Sequence, residues 1–206
     1  MKQLAGFTTH HLVTKGIVTE ADAPIYAYGF EVMFARLFTF GSIFFVAACV
    51  GNFFETLLFF TAFMVLRIYA GGYHAATRVR CYLISLLMYI IFSVMLVVIP
   101  VDLYFLVAVF TSMIAFICII LWAPVIHKNR SISPESFNRC RKISLLICIV
   151  ESLVLLSGQF LLQDDELFFA FGLGTFSAAI TVPIAKLADK HIDVIVKWFF
   201  ERRERK

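Results

Sequence analysis

The sequence predicts an all-α, polytopic integral membrane protein with about six transmembrane helices and an N-terminal interfacial helix. Of its 206 residues, 61% are hydrophobic and only 16% are charged, whereas a soluble domain is about 45–50% apolar and about 25% charged. The apolar residues form long continuous runs, which are typical of membrane helices and not of the alternating strands of a membrane barrel. Together these observations exclude a soluble globular protein and a disordered chain.

Six apolar runs are each near the length that crosses a hydrocarbon core of about 30 Å. The runs cover residues 32–50, 53–70, 81–99, 102–121, 143–162 and 166–187. No internal repeat divides the chain, so we predict a single membrane-embedded domain over residues 1–206. Within it, residues 1–31 form an interfacial N-terminal segment and residues 188–206 form a basic tail. Residues 19–22 resemble a helix N-terminal cap, with Pro24 early in the helix that follows.

The positions of the basic residues predict the orientation in the membrane. None of the 18 Lys and Arg residues lies in the turns at 51–52, 100–102 and 163–166, so with six spans all of them face one side. By the positive-inside rule that side is the cytoplasm, and both termini are cytoplasmic. We therefore interpret the net charge of +4 mainly as an indication of orientation in the membrane. Because the chain has no nucleic-acid-binding module, we predict no nucleic acid partner.

Candidate catalytic residues lie between the second and third apolar runs. Cys81 begins the third run, His74 precedes it by seven residues, and Arg78 and Arg80 stand beside it. A thiol becomes nucleophilic when a nearby histidine or a positive field favours the thiolate. The alternative is a histidine of an ordinary loop and a buried cysteine that starts a span.

The spacing of this pair predicts a break in the helix between them. A straight helix from His74 to Cys81 would hold their backbones about 10.5 Å apart along its axis, which is too far for direct proton transfer. We therefore expect the second helix to end near residue 71 and a new helix to begin within residues 75–80. The glycine pair at 71–72 would supply a flexible turn between the two helices.

One motif spans this region: Arg67, Gly71-Gly72, His74-Ala75 and Cys81. It resembles the R-x3-G-G-x-H-A-x5-C pattern of the accessory gene regulator B family, which are bacterial integral-membrane cysteine endopeptidases that process the precursor of a cyclic autoinducing peptide. The chain length, the six runs and the stretch over residues 123–130 are also similar to that family. Many members carry a proline shortly after that stretch, where this chain has Ser131, so the departure affects the loop and not the proposed catalytic pair.

The resemblance implies a reaction and a set of partners. His74 would act as general base, and Cys81 would attack the precursor, form an acyl thioester and release the precursor's C-terminal segment. A Cys or Ser of the precursor would then close a thiolactone or lactone ring. No cofactor or metal is implied; the implied partners are the precursor, the lipid bilayer of the bacterial cell membrane and a second copy in a homodimer. The residues implied to position the substrate are Arg67, Gly71, Gly72, Arg78, Arg80, Lys128 and Arg130.

Several alternatives stay open at the level of the sequence. Cys140 also stands among basic residues, but it lacks the glycine turn. Arg67 is either a topology anchor whose head group reaches the interface or a group that positions substrate. Glu151, in the middle of a run, makes either a structural hydrogen bond or part of a site. The alternative function is a non-enzymatic membrane protein, such as a small transporter or an assembly subunit.

The basic stretches on either side of the last two runs allow two roles. Residues 128–142 and 186–206 would ordinarily contact anionic lipid. In the resembled family the precursor has an acidic C-terminal segment, so the same stretches would also hold that segment over Cys81.

Overall fold

A computed structural model describes residues 1–72, 77–125, 133–162 and 164–203; for residues 78, 159–162 and 188–203 the description covers the backbone alone. Over these residues the chain forms seven α-helices and one 3-10 turn, and it contains no β-strand. The helices are α1 (Lys2–Thr14), α2 (Ala23–Val50), α3 (Phe53–Ala70), α4 (Arg78–Val98), α5 (Tyr104–Trp122), α6 (Pro134–Leu162) and α7 (Asp165–Arg203), with the 3-10 turn at Val101–Leu103 before α5.

Five segments of the described chain are long and apolar enough to cross a membrane. They are Ala23–Val50, Phe53–Ala70, Val79–Val98, Val101–Trp122 and Asp165–Leu187. The prediction of an all-α polytopic membrane protein is therefore confirmed. The predicted run 143–162 lies in α6, which is not one of the five segments. Glu151 is the one charged residue of this run, and the side chains of residues 159–162 at its end are outside the described part of the chain.

Contacts along α6 nevertheless agree with a sixth span. Three pairs join α6 to α7: Glu151 with Thr175, Leu155 with Gly172, and Gly158 with Phe168. Residue numbers rise along α6 while they fall along α7, so the two helices are antiparallel. A helix that lies antiparallel beside an apolar span over two turns occupies the same depth as that span.

Residues 1–31 differ in part from the predicted interfacial segment. Residues 2–14 form the separate helix α1, but α2 already begins at Ala23, nine residues before the predicted run. The turn at its start is held by the Thr19 hydroxyl, which donates a 2.7 Å hydrogen bond to Asp22. Pro24 lies in the first turn of α2, as predicted. The first span is therefore longer than the apolar run alone indicated.

The described chain folds as two compact units. The first comprises Met1–Gly51 and Ala76–Leu87. In it α1 packs on α2, Ala5 and Thr9 of α1 are buried, and the rings of Phe38 and Tyr82 lie 5.8 Å apart. Much of α2 is apolar and exposed, as expected of a helix whose surroundings are lipid.

The second unit comprises Asn52–Ala75 and Met88–Lys206. Its centre is α7, whose small residues let neighbouring helices approach closely. A Cβ on Gly174 would overlap the backbone oxygen of Phe59 in α3, and a Cβ on Gly172 would overlap the Leu155 side chain of α6. Glycine at these positions therefore sets the distance between α7 and its neighbours.

Hydrogen bonds join helix ends within this second unit. Asn52 donates to Ser93 at 3.2 Å and accepts from Tyr89 at 3.2 Å, which ties the start of α3 to α4. The buried Tyr104 hydroxyl donates to the Leu96 carbonyl at 2.6 Å, so it satisfies one of the carbonyls left free at the end of α4. These bonds order the start of α3 and the connection from α4 to α5.

Candidate functional site

The predicted break between the second and third spans is confirmed. Helix α3 ends at Ala70, Gly71 follows with φ of 74°, and α4 begins at Arg78. The new helix thus starts within the range that the spacing of the motif predicted. His74 falls in residues 73–76, outside the described part of the chain.

Gly71 is packed against a segment that precedes α6. The Val125 amide donates a 3.0 Å hydrogen bond to the Ala70 carbonyl, and Gly71 and Val125 form an isolated parallel bridge. A Cβ on Gly71 would lie well inside 3.0 Å of the Val125 backbone oxygen. Because that oxygen belongs to the backbone, it cannot turn away as a side chain would. Glycine is therefore required at position 71 for two reasons: there is no room for a Cβ atom, and the backbone has a positive φ.

Gly72 is packed against α7. It is buried, has φ of 132°, and a Cβ on it would overlap the Thr181 Oγ1 atom and come within 3.2 Å of the Thr181 Cβ. The sequence alone suggested that this glycine pair makes a flexible turn. The described contacts show instead that both glycines are closely packed. Gly71 packs against Val125, and Gly72 packs against Thr181.

Arg67 is held within the second unit. Its guanidinium lies 5.2 Å from the centre of the Phe63 ring, and its Nη1 donates a 3.4 Å hydrogen bond to Thr181 Oγ1. The cation–π contact and the hydrogen bond keep this half-buried side chain beside α7. Arg67 thus connects α3 to α7, a role that neither sequence interpretation included.

Thr181 and Val125 are the two residues of this arrangement that sequence reasoning missed. Thr181 is one of three hydroxyl residues in the apolar run 166–187, together with Thr175 and Ser177, and Val125 follows an Ala-Pro dipeptide. Hydroxyl residues are frequent in membrane helices, where they bond to their own backbone. No sequence signal separates Thr181 from such residues.

Cys81 is exposed and lies in the first turn of α4. Thr77 caps this helix: its hydroxyl accepts a 3.3 Å hydrogen bond from the Arg80 amide, and its carbonyl accepts a 3.0 Å hydrogen bond from the Cys81 amide. The N-terminus of a helix carries a partial positive charge. The exposed Arg80 adds a positive charge beside it.

The four other cysteines have less suitable surroundings. Cys118 and Cys148 are buried, so a peptide cannot reach them. Cys49 is exposed but lies in the last turn of α2, at the partially negative end of that helix. Cys140 is half-buried and lies in the second turn of α6. Of the five cysteines, all of which lie in the described chain, only Cys81 combines exposure with a helix N-terminus.

The remaining predicted residues divide into described and undescribed ones. Lys128 and Arg130 fall in residues 126–132, outside the described chain, as does the side chain of Arg78. Glu151 is buried, and its Oε2 accepts a 2.9 Å hydrogen bond from the Thr175 hydroxyl of α7. This contact favours the structural interpretation of Glu151, because it joins two packed helices.

These features define a helical integral membrane protein in which an exposed cysteine opens a helix after a tightly packed glycine pair. The chain belongs to the accessory gene regulator B family, whose model matches residues 6–182. It is 26% identical to accessory gene regulator protein B of Staphylococcus carnosus (strain TM300), over 73% of this chain and 76% of that protein. It is 24% identical to protein FsrB of Enterococcus faecalis (strain ATCC 47077 / OG1RF), over 79% of this chain and 76% of that protein. No solved structure matches the chain. Membership of this family supports a role in accessory gene regulation and quorum-sensing peptide processing.

Proposed function

We propose that this protein is a membrane cysteine endopeptidase that cleaves the C-terminal segment from the precursor of a cyclic autoinducing peptide. The observation that carries the proposal is the position of Cys81, which of the five cysteines is the exposed one at a helix N-terminus. The motif around it and the family to which the chain belongs support the same assignment.

In the proposed first step His74 takes the proton of the Cys81 thiol, and the thiolate attacks the scissile carbonyl carbon of the precursor. The C–N bond breaks, and the leaving amine of the C-terminal segment receives the proton from His74. The product is an acyl thioester on Cys81 and a free C-terminal segment.

In the second step the thiolate of a cysteine in the precursor attacks that thioester carbonyl. The new C–S bond closes a thiolactone ring, and Cys81 leaves as a thiolate and regains its proton. Exchange between two thioesters is close to neutral in energy, so ring closure requires a prepositioned thiol and a site that is poor in water. A precursor with Ser at that position would yield a lactone instead.

We propose that both termini and Cys81 face the cytoplasm of a bacterial cell. The turns at 51–52 and 100–102 carry no Lys or Arg, whereas the connection between α3 and α4 and the tail after residue 187 are basic. An acidic C-terminal segment of the precursor would then be on the same side of the membrane as the basic stretches 128–142 and 186–206, which would bind it. The same stretches would bind anionic lipid, and the active protein would be a homodimer.

The nucleophile is tested by replacing each cysteine in turn and co-expressing each variant with a candidate precursor. We expect Cys81→Ala to reduce release of the C-terminal fragment to background, because the proposed acyl thioester forms on the Cys81 sulfur. Fragment release is measured by mass spectrometry, and membrane abundance by immunoblot.

Cys49→Ala is the matched control, since Cys49 is also exposed but lies at a helix C-terminus. It should retain cleavage. The assignment would move to Cys140, in the basic stretch 128–142, if Cys140→Ala alone were inactive at normal abundance while Cys81→Ala still cleaved.

A further inference from the structure

A groove of about 360 Å³ runs along one face of α2, within the first unit. This volume is at the lower end of the range of about 300–1,000 Å³ that is typical of ligand pockets. Its described lining residues recur every three or four positions, which places them on the same side of the helix. They are Gly29, Val32, Met33, Arg36, Leu37 and Phe40.

This face of α2 is turned away from the contact that α2 makes with α4. The Phe38 ring lies 5.8 Å from the ring of Tyr82 in α4. Phe38 follows Arg36 by two positions, which is about 200° around the helix. The groove and the contact with α4 therefore lie on opposite sides of α2.

Arg36 is the one charged side chain among these lining residues, since the others are apolar or glycine. Its side chain is exposed. Within the part of the chain that the structure describes, Arg36 has no hydrogen bond or ion pair. The groove thus offers a single positive charge in apolar surroundings, and that charge is complementary to an anion with an apolar part.

The depth of Arg36 in the membrane indicates where such an anion must come from. The stretch from Arg36 to the end of α2 at Val50 measures roughly 21 Å along the helix at 1.5 Å per residue. In a hydrocarbon core of about 30 Å, Arg36 then lies about 9 Å inside the boundary at which α2 enters. A charge at this depth is costly unless it reaches the interface or a counter-charge. Helical side chains tilt toward the N-terminus, so the guanidinium points to that boundary.

The groove changes in character along its length as a phospholipid does. Gly29 lies about two turns before Arg36, nearer the membrane surface, and no atom is within 4 Å of the position that its Cβ would take. Leu37 and Phe40 follow Arg36 toward the membrane interior. The order is therefore open space, then a positive charge, then an apolar wall.

We propose that this groove binds one anionic phospholipid, with its phosphate on Arg36, its head group beside Gly29 and an acyl chain along Leu37 and Phe40. A guanidinium bonds two phosphate oxygens at once, which favours arginine at such a site. A head group with a net negative charge neutralises Arg36, whereas a zwitterionic head group brings an ammonium of its own. The site is separate in the chain from the basic stretches 128–142 and 186–206, and it does not depend on the peptidase assignment.

The site is tested on the full chain in detergent, with phosphatidylglycerol and phosphatidylcholine as the two probes. Native mass spectrometry counts the lipid molecules that each chain retains at an activation energy that strips loosely held lipid. We expect the wild type to retain phosphatidylglycerol in preference to phosphatidylcholine. Arg36→Gln should retain one phosphatidylglycerol molecule fewer per chain, because the charge-assisted bonds to the phosphate are lost.

Two further variants separate the site from a general effect of charge. Lys15→Gln is the matched control, since it also removes one exposed positive charge from the first unit but lies outside the groove. It should leave the lipid count unchanged. Gly29→Leu keeps Arg36 and fills the open space beside it, so it should lose the same single lipid molecule as Arg36→Gln.

Three outcomes would overturn the proposal. Equal counts for the wild type and Arg36→Gln would show that Arg36 holds no lipid, and equal retention of both probes by the wild type would show that the groove does not select an anion. A full count in Gly29→Leu would place the lipid elsewhere, and this variant decides the question even if Arg36→Gln fails to fold. A change from dimer to monomer in Arg36→Gln with an unchanged lipid count would assign this face to a second copy of the chain instead.

Discussion

Gly71 and Gly72 are adjacent residues with different structural constraints. Gly71 is opposed by a backbone oxygen, that of Val125, whereas Gly72 is opposed by the side chain of Thr181. A side chain can be changed without altering the fold, but a backbone oxygen cannot. The two glycines should therefore respond differently to substitution even though both have positive φ.

Gly71→Ala should destabilise the protein strongly. With φ of 74° and ψ of −145°, Gly71 is in a backbone region that is essentially restricted to glycine and that costs an alanine about 1–3 kcal/mol. The overlap with Val125 adds to that cost because the backbone must shift. We expect a clearly lower melting temperature in detergent, measured by the loss of soluble protein on heating.

Gly41→Ala is the control for that substitution. Gly41 lies within α2, has no positive φ, and has no neighbouring atom within 4 Å of the position that a Cβ would take. Alanine there should be neutral or stabilise by up to about 1 kcal/mol, because alanine favours a helix more than glycine does. Equal melting temperatures for Gly71→Ala and Gly41→Ala would contradict the packing described for Gly71.

Among the helices, the start of α4 governs the environment of Cys81. Thr77 ends the preceding segment and caps the helix through its hydroxyl, and Cys81 is one turn further on. Loss of a cap of this kind costs about 0.5–2 kcal/mol and lets the first turn fray. A frayed turn no longer presents an ordered helix end to the thiol.

We therefore expect Thr77→Ala to slow alkylation of Cys81 at neutral pH, while Thr77→Ser retains the wild-type rate. The rate is measured with iodoacetamide under limiting conditions. Ser133→Ala, which removes the equivalent cap of α6, serves as the control. It should leave Cys81 unaffected, and a similar slowing in both alanine variants would argue against a local effect of the α4 cap.

Across the molecule, the direction of the helices constrains the number of membrane crossings. Contacts of Phe59 with Gly174 and of Arg67 with Thr181 show that α3 and α7 run in the same direction. Two spans that run in the same direction both begin on the same side of the membrane. The chain must therefore cross the membrane an even number of times between the start of the first span and the start of the second. Helices α3, α4, α5 and α6 supply four crossings only if α6 also spans.

The six-span topology is testable with reporter fusions. Fusions after Asp102 and near Asp165 should behave as external, and fusions after Arg130 and at the C-terminus as cytoplasmic, because the positive-inside rule assigns loops rich in Lys and Arg to the cytoplasm. Activity of paired alkaline phosphatase and fluorescent protein fusions gives the readout. A cytoplasmic result after Asp102 would eliminate the six-span topology and return four-span alternatives with re-entrant segments.

Much of this architecture is predictable from the sequence because membrane helices need no partner to be recognised. A run of about 20 apolar residues must be helical in lipid, since its backbone groups have no other hydrogen-bonding partners. The break after Ala70 was also predictable, because a continuous helix would hold His74 and Cys81 too far apart for direct proton transfer. The start of α2 was not predictable, because residues 23–31 mix polar and aromatic side chains and contain no long apolar run.

The all-α membrane class, the motif from Arg67 to Cys81 and the end of α3 at the glycine pair all follow from the amino-acid sequence. What lies opposite those glycines follows only from the packing of the helices. Thr181 is more than a hundred residues from Gly72 in the chain, and the two meet because α3 and α7 pack in one particular register. That register depends on how Gly174 and its neighbours fit against Phe59, which is a property of interlocking surfaces and not of periodicity or composition.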